Sequence, residues 1–308
     1  MTPGLDALTA LLHPPEVPSE QRGSATVALR YEDVAEDGRL LVQAMSPALG
    51  ECVWKRLLLN APSSEALREQ GVVPILSRLI LEGGDGPHGM NAPLAVEGCY
   101  ELAHAALPDG SVDRLFVNMW AEARAPIGRT HGPAPDGAGT LVRAGRVFGE
   151  HVLTKLFAAP EDRKVRRIDA EGLPAVPTAR YDWRLPPTTM ELPAGAVALD
   201  ELSLEPTPIA FGLMHTDSNQ HVNSLVYPRL FEEAALRRLA TLGRGTRLLA
   251  RFAESSYRKP SFAGERVRIV LSAFTLDGRV GAVGAFVDDA DTFDTKRARA
   301  YVRMLFAD

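Results

Sequence analysis

Prolines are concentrated in one part of this 308-residue chain, because seven of its 23 prolines lie within residues 171–210. Proline lacks a backbone N–H and fixes φ, so a stretch this dense in proline is typical of an extended connector. A chain of this length also exceeds the usual size of one domain. We therefore predict an N-terminal arm (1–22), an N-terminal domain (23–170), a connector (171–204) and a C-terminal domain (205–308).

Each side of this connector has the same predicted order of elements. On the C-terminal side, apolar residues spaced by three and four predict an amphipathic helix over 222–243. On the N-terminal side a short helix is expected over 63–70, and Pro74 is expected to start a fresh helical turn in the string ILSRLILE. The predicted fold class is α+β, a long helix wrapped by a curved antiparallel sheet, present twice. Strands are predicted over 24–33, 39–45, 93–105, 113–124 and 139–157 before the connector, and over 246–259, 265–276, 278–289 and 296–307 after it.

The composition is that of an ordinary soluble protein, with 45% hydrophobic and 24% charged residues. No run of about 18 consecutive apolar residues occurs, so no membrane span is expected. The net charge of −5 disfavours nucleic-acid binding as the main activity. The N-terminal sequence lacks the features of a secretory signal, and the expected location is the cytoplasm. Cys52 and Cys99 leave one disulfide open but exclude a cysteine-based zinc site.

Five polar residues lie within nine positions just before the predicted C-terminal helix, at His215, Asp217, Asn219, His221 and Asn223. In an extended segment alternate residues face the same side, so we expect all five to project together. A carboxylate, an amide and an imidazole on one face can orient a water, remove its proton and stabilise an oxyanion. The helix that follows is expected to add free N–H groups and the positive end of its dipole. This combination suits hydrolysis or transfer at an activated carbonyl.

The string DSNQHVNSLVY (217–227) resembles the D-x-N-x-H-V-N-x-x-x-Y signature of acyl-[acyl carrier protein] thioesterases, a family of the hot-dog fold superfamily. The resemblance implies a tandem (double) hot-dog fold with this motif in the C-terminal domain. It also implies that Asp217, Asn219 and His221 are the catalytic residues. The residues expected to contact substrate are Asn223, Ser224, Tyr227 and Arg258.

The chain departs from this family pattern at one place. Some plant members use a Glu-Cys pair on the next strand, where this sequence has Pro260-Ser261. We therefore expect Asp217 to act alone as base or nucleophile, with His221 and Asn219 assisting.

Several of these residues also have a structural interpretation. Asp and Asn before a helix are what turns and helix N-caps require, and Tyr227 fits a core position. His88 and His131 lie in Gly/Pro loops and are expected at the surface, whereas Cys99 is expected in the core. No His pair has metal-site spacing, so no metal is expected. Six basic residues are compatible with a rim around a substrate tunnel or with a solvated sheet edge: Arg244, Arg247, Arg251, Arg258, Lys259 and Arg266.

The sequence therefore predicts a thioesterase acting on acyl chains carried by acyl carrier protein or coenzyme A. No separate cofactor is expected, since the substrate itself carries phosphopantetheine or coenzyme A. Two alternatives stay open: a double hot-dog acyltransferase/decarboxylase or dehydratase, and a non-catalytic module that binds an acyl chain. Homodimer formation also stays open.

Overall fold

The computed structural model describes residues 3–290 and 292–307, and within them thirteen strands form one continuous sheet. The helices are α1 (Pro3–Thr9), α2 (Ser46–Leu49, continued by a π-helix over Gly50–Leu58), α3 (Pro62–Glu69) and α4 (Val226–Thr241). The long strands of the N-terminal half are β1 (Arg22–Val27), β2 (Val72–Gly83), β3 (Leu94–Ala106), β4 (Val112–Pro126) and β5 (Leu141–Lys155). Four two-residue strands follow, β6 (Ala179–Arg180), β7 (Val197–Ala198), β8 (Ser203–Leu204) and β9 (Ile209–Ala210). The last four are β10 (Leu249–Tyr257), β11 (Arg266–Leu276), β12 (Arg279–Asp288) and β13 (Ala300–Ala307).

The order of strands is mirrored about the middle of the sheet. It runs β1-β3-β4-β5-β2-β10-β13-β12-β11-β7, with β6 on β3 and with β8 and β9 on β11. The order β3-β4-β5-β2 in the first half thus returns as β11-β12-β13-β10 in the second. The halves join through antiparallel pairing of β2 with β10, from Glu82 opposite Phe252 to Arg78 opposite Ser256. We call this β2–β10 junction the seam.

The two seam strands share a register irregularity at matching positions. The pairing of β2 with β5 shifts at Ser77, and the pairing of β10 with β13 shifts at Arg251. In each case pairing ends six residues later, at Gly83 in β2 and at Tyr257 in β10. Ser77 and Arg251 are therefore equivalent positions in the two halves.

Helices α2, α3 and α4 pack on one face of the sheet. Helix α4 buries Phe231, Ala234 and Leu239, and these join one large apolar cluster with the strands beneath. Gly284 allows this close approach, because a Cβ there would lie 2.7 Å from Cε2 of Phe231 and 2.2 Å from the carbonyl oxygen of Val270. Burial of this apolar face supplies most of the stability of such a helix.

The opposite face is covered in part by the N-terminal segment, which packs against the sheet. Leu8 and Leu12 are buried against Phe148 and neighbouring apolar side chains of the sheet. Nε1 of Trp120 donates a hydrogen bond to the carbonyl oxygen of Leu11 at 2.8 Å. The predicted N-terminal arm, whose order the sequence left open, therefore packs on the sheet, because its leucines cover apolar surface that the sheet would otherwise expose.

The rest of this face carries a buried ionic network beneath the connector. Nη1 of Arg78 lies 3.3 Å from Oε1 of Glu254, and Nη1 of Arg303 lies 3.0 Å from Oε2 of the same carboxylate. Nε of Arg78 lies 3.8 Å from Oε2 of Glu150. The connector completes the network, because the carbonyl oxygens of Arg184, Thr188 and Glu191 accept hydrogen bonds from the two guanidinium groups.

Most predicted elements are present, but three were wrong. The predicted strand over 39–45 ends in a 3₁₀ turn (Val42–Met45) that leads into the unpredicted helix over 46–58. The predicted strand over 24–33 stops at Val27. The string after Pro74 is strand β2 and not a helical turn, and proline is tolerated there because β10 pairs with β2 only from Arg78 onward.

The remaining strand predictions, the helix over 63–70 and the long helix before β10 are confirmed within a few residues. The domain boundaries stay a prediction. In the described part of the chain, no helix is long and apolar enough to cross a membrane.

Candidate functional site

The segment before α4 forms a tight turn. Thr216 and Val222 form an antiparallel bridge, and the N–H of Asp217 donates to the carbonyl oxygen of His221 at 3.2 Å. Gln220 adopts a φ of 64°, which reverses the chain. The expectation of an extended segment with alternating side chains was therefore wrong, because the reversal at Gln220 sends successive side chains in different directions.

The turn brings the carboxylate of Asp217 together with the amide of Asn223. Oδ2 of Asp217 accepts a hydrogen bond from Nδ2 of Asn223 at 3.0 Å, and its Oδ1 accepts from the backbone N–H of Asn219 at 2.9 Å. Oδ1 of Asn223 accepts from the N–H of Leu225 at 2.9 Å. Asn223 therefore anchors the half-buried carboxylate of Asp217 to the start of α4.

The start of α4 has fewer free donors than expected. The N–H of Leu225 is bound by the side chain of Asn223, and the N–H of Val226 donates to the carbonyl oxygen of Asn223 at 3.0 Å. Pro228 has no N–H to offer. The expected supply of free helix N–H groups is therefore partly used within the turn itself.

His221 and Asn219 contribute differently to this turn. Nδ1 of His221 lies 3.1 Å from the carbonyl oxygen of Val222. A carbonyl oxygen only accepts, so Nδ1 carries the proton and Nε2 of a neutral ring is left as an acceptor. Asn219 is exposed, and its side chain makes no hydrogen bond to another described residue. His215, outside the motif, accepts from the N–H of Gly212 at 2.9 Å and so supports the turn.

The residues predicted to contact substrate lie in three different environments. Ser224 uses its carbonyl oxygen to accept a hydrogen bond from Oη of Tyr257 at 2.9 Å. Tyr227 is 3% exposed and packs edge-on against Phe286 at 5.1 Å between ring centroids, and burial raises the pKa of its hydroxyl. Tyr227 therefore occupies the core position that the structural interpretation proposed. Arg258 is exposed.

Ser261, at the place where the sequence departs from the family pattern that it resembles, is fully buried. Its carbonyl oxygen accepts from the N–H of Val222 at 2.8 Å, and its Oγ accepts from Nη1 of Arg299 at 3.3 Å. Arg299 forms ion pairs with Glu265 and Asp288. Ser261 thus ties the turn to the segment between β10 and β11, a contact that no sequence pattern indicated.

A second turn with the same backbone pattern precedes the N-terminal helix. Val34 and Leu40 form its bridge, Gly38 has a φ of 88°, and the N–H of Ala35 donates to the carbonyl oxygen of Arg39 at 2.8 Å. Matching these hydrogen bonds aligns Ala35 with Asp217 and Arg39 with His221. By the same alignment, the residue equivalent to Asn223 is Leu41, which is apolar. The carboxylate–amide pair therefore belongs to the C-terminal turn, and its N-terminal equivalent lacks both groups.

The basic residues do not form one rim. Arg247 pairs with Glu36, and Arg251 donates to the carbonyl oxygen of Gly84, both beside the N-terminal turn. Burial lowers the pKa of Arg251. Arg266, at the start of β11, pairs with Asp289, which directly follows β12. Of the two interpretations that the sequence left open, a single rim around a tunnel does not fit, since these side chains are divided between two ends of the sheet.

A cavity of about 420 Å³ lies at the end of the seam where Arg78 is opposite Ser256. It is lined by residues of both halves and of the connector, among them Ser77, Trp183, Tyr257 and Arg258. Tyr257 links the cavity to the turn, because its hydroxyl binds the carbonyl oxygen of Ser224 next to Asn223.

The histidines and cysteines outside the turn have no part in this site. His88 was expected at the surface, but this was wrong: it is 1% exposed, and its ring nitrogens lie 2.5 Å from the carbonyl oxygen of Asp85 and 3.2 Å from that of Pro126. His131 is exposed and Cys99 is buried, as predicted. Cys52 and Cys99 are both free, and burial raises the pKa of Cys52 to about 11. Among the described residues, no three His, Cys, Asp or Glu side chains converge to hold a metal ion.

Comparison with known proteins finds similarity at the level of structure. No protein-family model and no curated protein matches the sequence. An acyl-ACP thioesterase from Bacteroides thetaiotaomicron superposes with a TM-score of 0.52 at 14% identity, over 94% of this chain and 100% of that chain. A 12:0-ACP thioesterase from Umbellularia californica gives a TM-score of 0.53 at 12% identity, over 93% and 94%. A protein described as an oleoyl thioesterase from Lactobacillus plantarum gives 0.58 at 12%, over 92% and 95%.

At such low identity this likeness shows the fold alone. The resemblance carried by the motif at 217–227 is therefore confirmed at the level of the fold, which this chain shares with the three solved thioesterases.

Proposed function

We propose that this protein is a thioesterase that hydrolyses acyl thioesters at the turn before α4. The observation that carries the proposal is the hydrogen-bonded pair of Asp217 and Asn223, in a chain that shares the fold of acyl-ACP thioesterases. We further infer that the molecule is a tandem of two hot-dog units. The mirrored strand order and the two equivalent turns support this interpretation.

In the proposed reaction Asp217 is the general base. Its carboxylate removes a proton from water while the water oxygen forms a bond to the thioester carbonyl carbon. The tetrahedral intermediate then collapses, the carbon–sulfur bond breaks, and Asp217 returns the proton to the leaving sulfur. The products are a carboxylic acid and a free thiol.

The neighbouring side chains have supporting roles in this proposal. Nε2 of His221, which is left as an acceptor, takes a hydrogen bond from the attacking water. The exposed amide of Asn219 donates toward the developing oxyanion. Asn223 acts through Asp217 and is a positioning residue, because its amide holds the carboxylate in one orientation.

The proposed substrates are acyl chains carried by acyl carrier protein or by coenzyme A. The names of two structural neighbours support the carrier protein, since they are described as acyl-ACP and 12:0-ACP thioesterases. An acyltransferase or dehydratase on the same fold is the alternative, and a non-catalytic acyl-binding module is another.

One experiment separates these functions. The protein is incubated with a panel of acyl-ACP and acyl-CoA thioesters, while free thiol is titrated and the acyl products are identified by mass spectrometry. We expect stoichiometric thiol and free acid. Loss of one water from the acyl group, movement of the acyl group to a second carrier, or tight binding without turnover would each contradict hydrolysis.

A further inference from the structure

The cavity near the seam is built from three parts of the chain. Ser77 and Arg114 come from the N-terminal half, Trp183 from the connector, and Tyr257 with Arg258 and Lys296 from the C-terminal half. Prolines of the connector complete one wall. Both halves and the connector therefore contribute to this cavity, which lies where the connector crosses the seam.

The charged side chains that line this cavity are all positive. Arg114, Arg258 and Lys296 face it, and no carboxylate is among the lining residues. Within residues 3–290 and 292–307, no carboxylate lies within ion-pair distance of Arg258 or Lys296. Such a cluster attracts an anionic group, and guanidinium groups suit the oxygens of a phosphate.

Two of these cations are held in place. Arg114 lies 3.8 Å from the ring centroid of Trp183, and its Nε donates to Oδ2 of Asp113 at 2.7 Å. Its two terminal nitrogens make no hydrogen bond to any other residue that the structure describes. Nη1 of Arg258 donates to the carbonyl oxygen of Arg297 at 3.3 Å. Both guanidinium groups are thus preorganised, which lowers the entropic cost of binding an anion.

The internal repeat indicates how the cavity relates to the catalytic turn. Arg251 lies beside the N-terminal turn and interacts electrostatically with Arg39 and Asp37 of that turn. Ser77 is the position equivalent to Arg251, and it lines the cavity. If the relation between a seam position and its turn is the same in both halves, Ser77 corresponds to the side of the C-terminal turn. The contact of Tyr257 with Ser224 gives the same neighbourhood independently.

We propose that this cavity binds the phosphate of the 4′-phosphopantetheine arm that carries the acyl group, so that the thioester end of the arm reaches Asp217. This inference rests on the proposed thioesterase function and adds a subsite to it. Carrier protein and coenzyme A both present this phosphate, and the shared chemistry is what Arg114, Arg258 and Lys296 recognise.

A binding measurement tests the subsite without any catalysis. Isothermal titration calorimetry compares 4′-phosphopantetheine with pantetheine, which lacks the phosphate. We expect the phosphate to tighten binding by about tenfold or more, the usual effect of charge-assisted contacts, and Arg114→Gln with Lys296→Gln to abolish that difference. Arg297→Gln, which removes one positive charge outside the cavity lining, keeps it. Equal affinity for the two probes, or a difference that persists in the double variant, overturns the proposal.

A kinetic measurement identifies the source of the phosphate. KM is compared for acyl-ACP, acyl-CoA and acyl-N-acetylcysteamine, a thioester without phosphate. In the double variant we expect the ratio of KM for phosphate-bearing substrates to KM for the phosphate-free substrate to rise by about fivefold or more. If the KM ratio rises for both acyl-ACP and acyl-CoA, the cavity binds the phosphate of the arm that both share. If it rises for acyl-CoA alone, the phosphate that the cavity binds comes from coenzyme A. An unchanged ratio with both overturns the subsite.

The two proposals fail separately in these experiments. If no thioester is hydrolysed but the phosphate still tightens binding, the subsite stands and the thioesterase function does not. If all three thioesters are hydrolysed but the variants change neither affinity nor KM ratio, the function stands without the subsite.

Discussion

Nδ2 of Asn223 donates to Oδ2 of Asp217 at 3.0 Å, while Oδ1 of the same asparagine accepts from the N–H of Leu225. One side chain therefore joins the proposed base to the first turn of α4. The orientation of the carboxylate is set by the helix, and this relation makes both residues testable.

Asp217→Asn should lower kcat by about 10²–10³-fold, because an amide of the same size cannot accept the proton from water. The measurement is steady-state release of thiol from an acyl-CoA. Circular dichroism and thermal unfolding of the variant should match those of the unmodified protein. Activity that survives in Asp217→Asn would remove Asp217 from the mechanism.

Asn223→Asp should change the pH dependence of the reaction. A second carboxylate beside Asp217 repels its negative charge, so the acidic limb of the pH–rate profile should move to higher pH. Asn223→Ala removes the hydrogen bond without adding charge, and it should lower kcat by about tenfold with little movement of that limb. If both variants give the same profile, the role of Asn223 is structural only.

His151 should make the protein less stable in mild acid. Burial lowers the pKa of its ring to about 4, against 6.5 for an ordinary histidine, and its Nδ1 is buried without a hydrogen-bond partner. The unfolded chain therefore binds more protons below pH 6.5. The free energy of unfolding should fall as the pH drops from 6.5 toward 4, by at most about 1.4 kcal/mol per pH unit from this residue.

Urea unfolding of His151→Gln across this pH range tests the assignment. The variant should lose less stability on acidification than the unmodified protein, whatever its stability at neutral pH. His131→Gln, which alters an exposed histidine, should follow the unmodified protein. Parallel curves for all three proteins would show that His151 is not the group responsible.

Glu254 should be important for stability, because it lies between Arg78 and Arg303 in the network beneath the connector. Glu254→Gln leaves two buried guanidinium groups without their shared counterion, and we expect a loss of about 3–5 kcal/mol in the free energy of unfolding. Glu122→Gln breaks an exposed pair with Arg124 and should cost less than about 1 kcal/mol. Similar small losses in both variants would contradict the role of the network.

The sequence predicted those elements whose local pattern agrees with their environment. Strands β4 and β11 alternate or run apolar between turns, and both were predicted. Strand β2 was not, because its apolar string is compatible with helix as well as strand, and only pairing with β10 on one side and β5 on the other decides between them. Helix α2 was missed because its apolar residues continue from a stretch with strand-like character.

The candidate site was located by its motif but not by its geometry. Which side chains meet depends on the reversal at Gln220, a non-glycine residue with positive φ that no pattern signals. The anchoring of the turn depends on Ser261 and Arg299, which are distant in sequence from Asp217. The equivalent turn in the N-terminal half shares backbone hydrogen bonds with this one but none of its chemistry, so sequence comparison of the halves could not find it.

The seam has one further consequence. At its outer face, the pair Arg78 and Glu150 occupies the position that Phe252 and Leu305 occupy in the other half, so one end is ionic beneath the connector and the other is apolar beneath α1. Two identical subunits around a twofold axis would have to bear the same residues at both ends. In a single polypeptide the two halves differ in sequence, so a different segment of the chain can cover each end of the sheet.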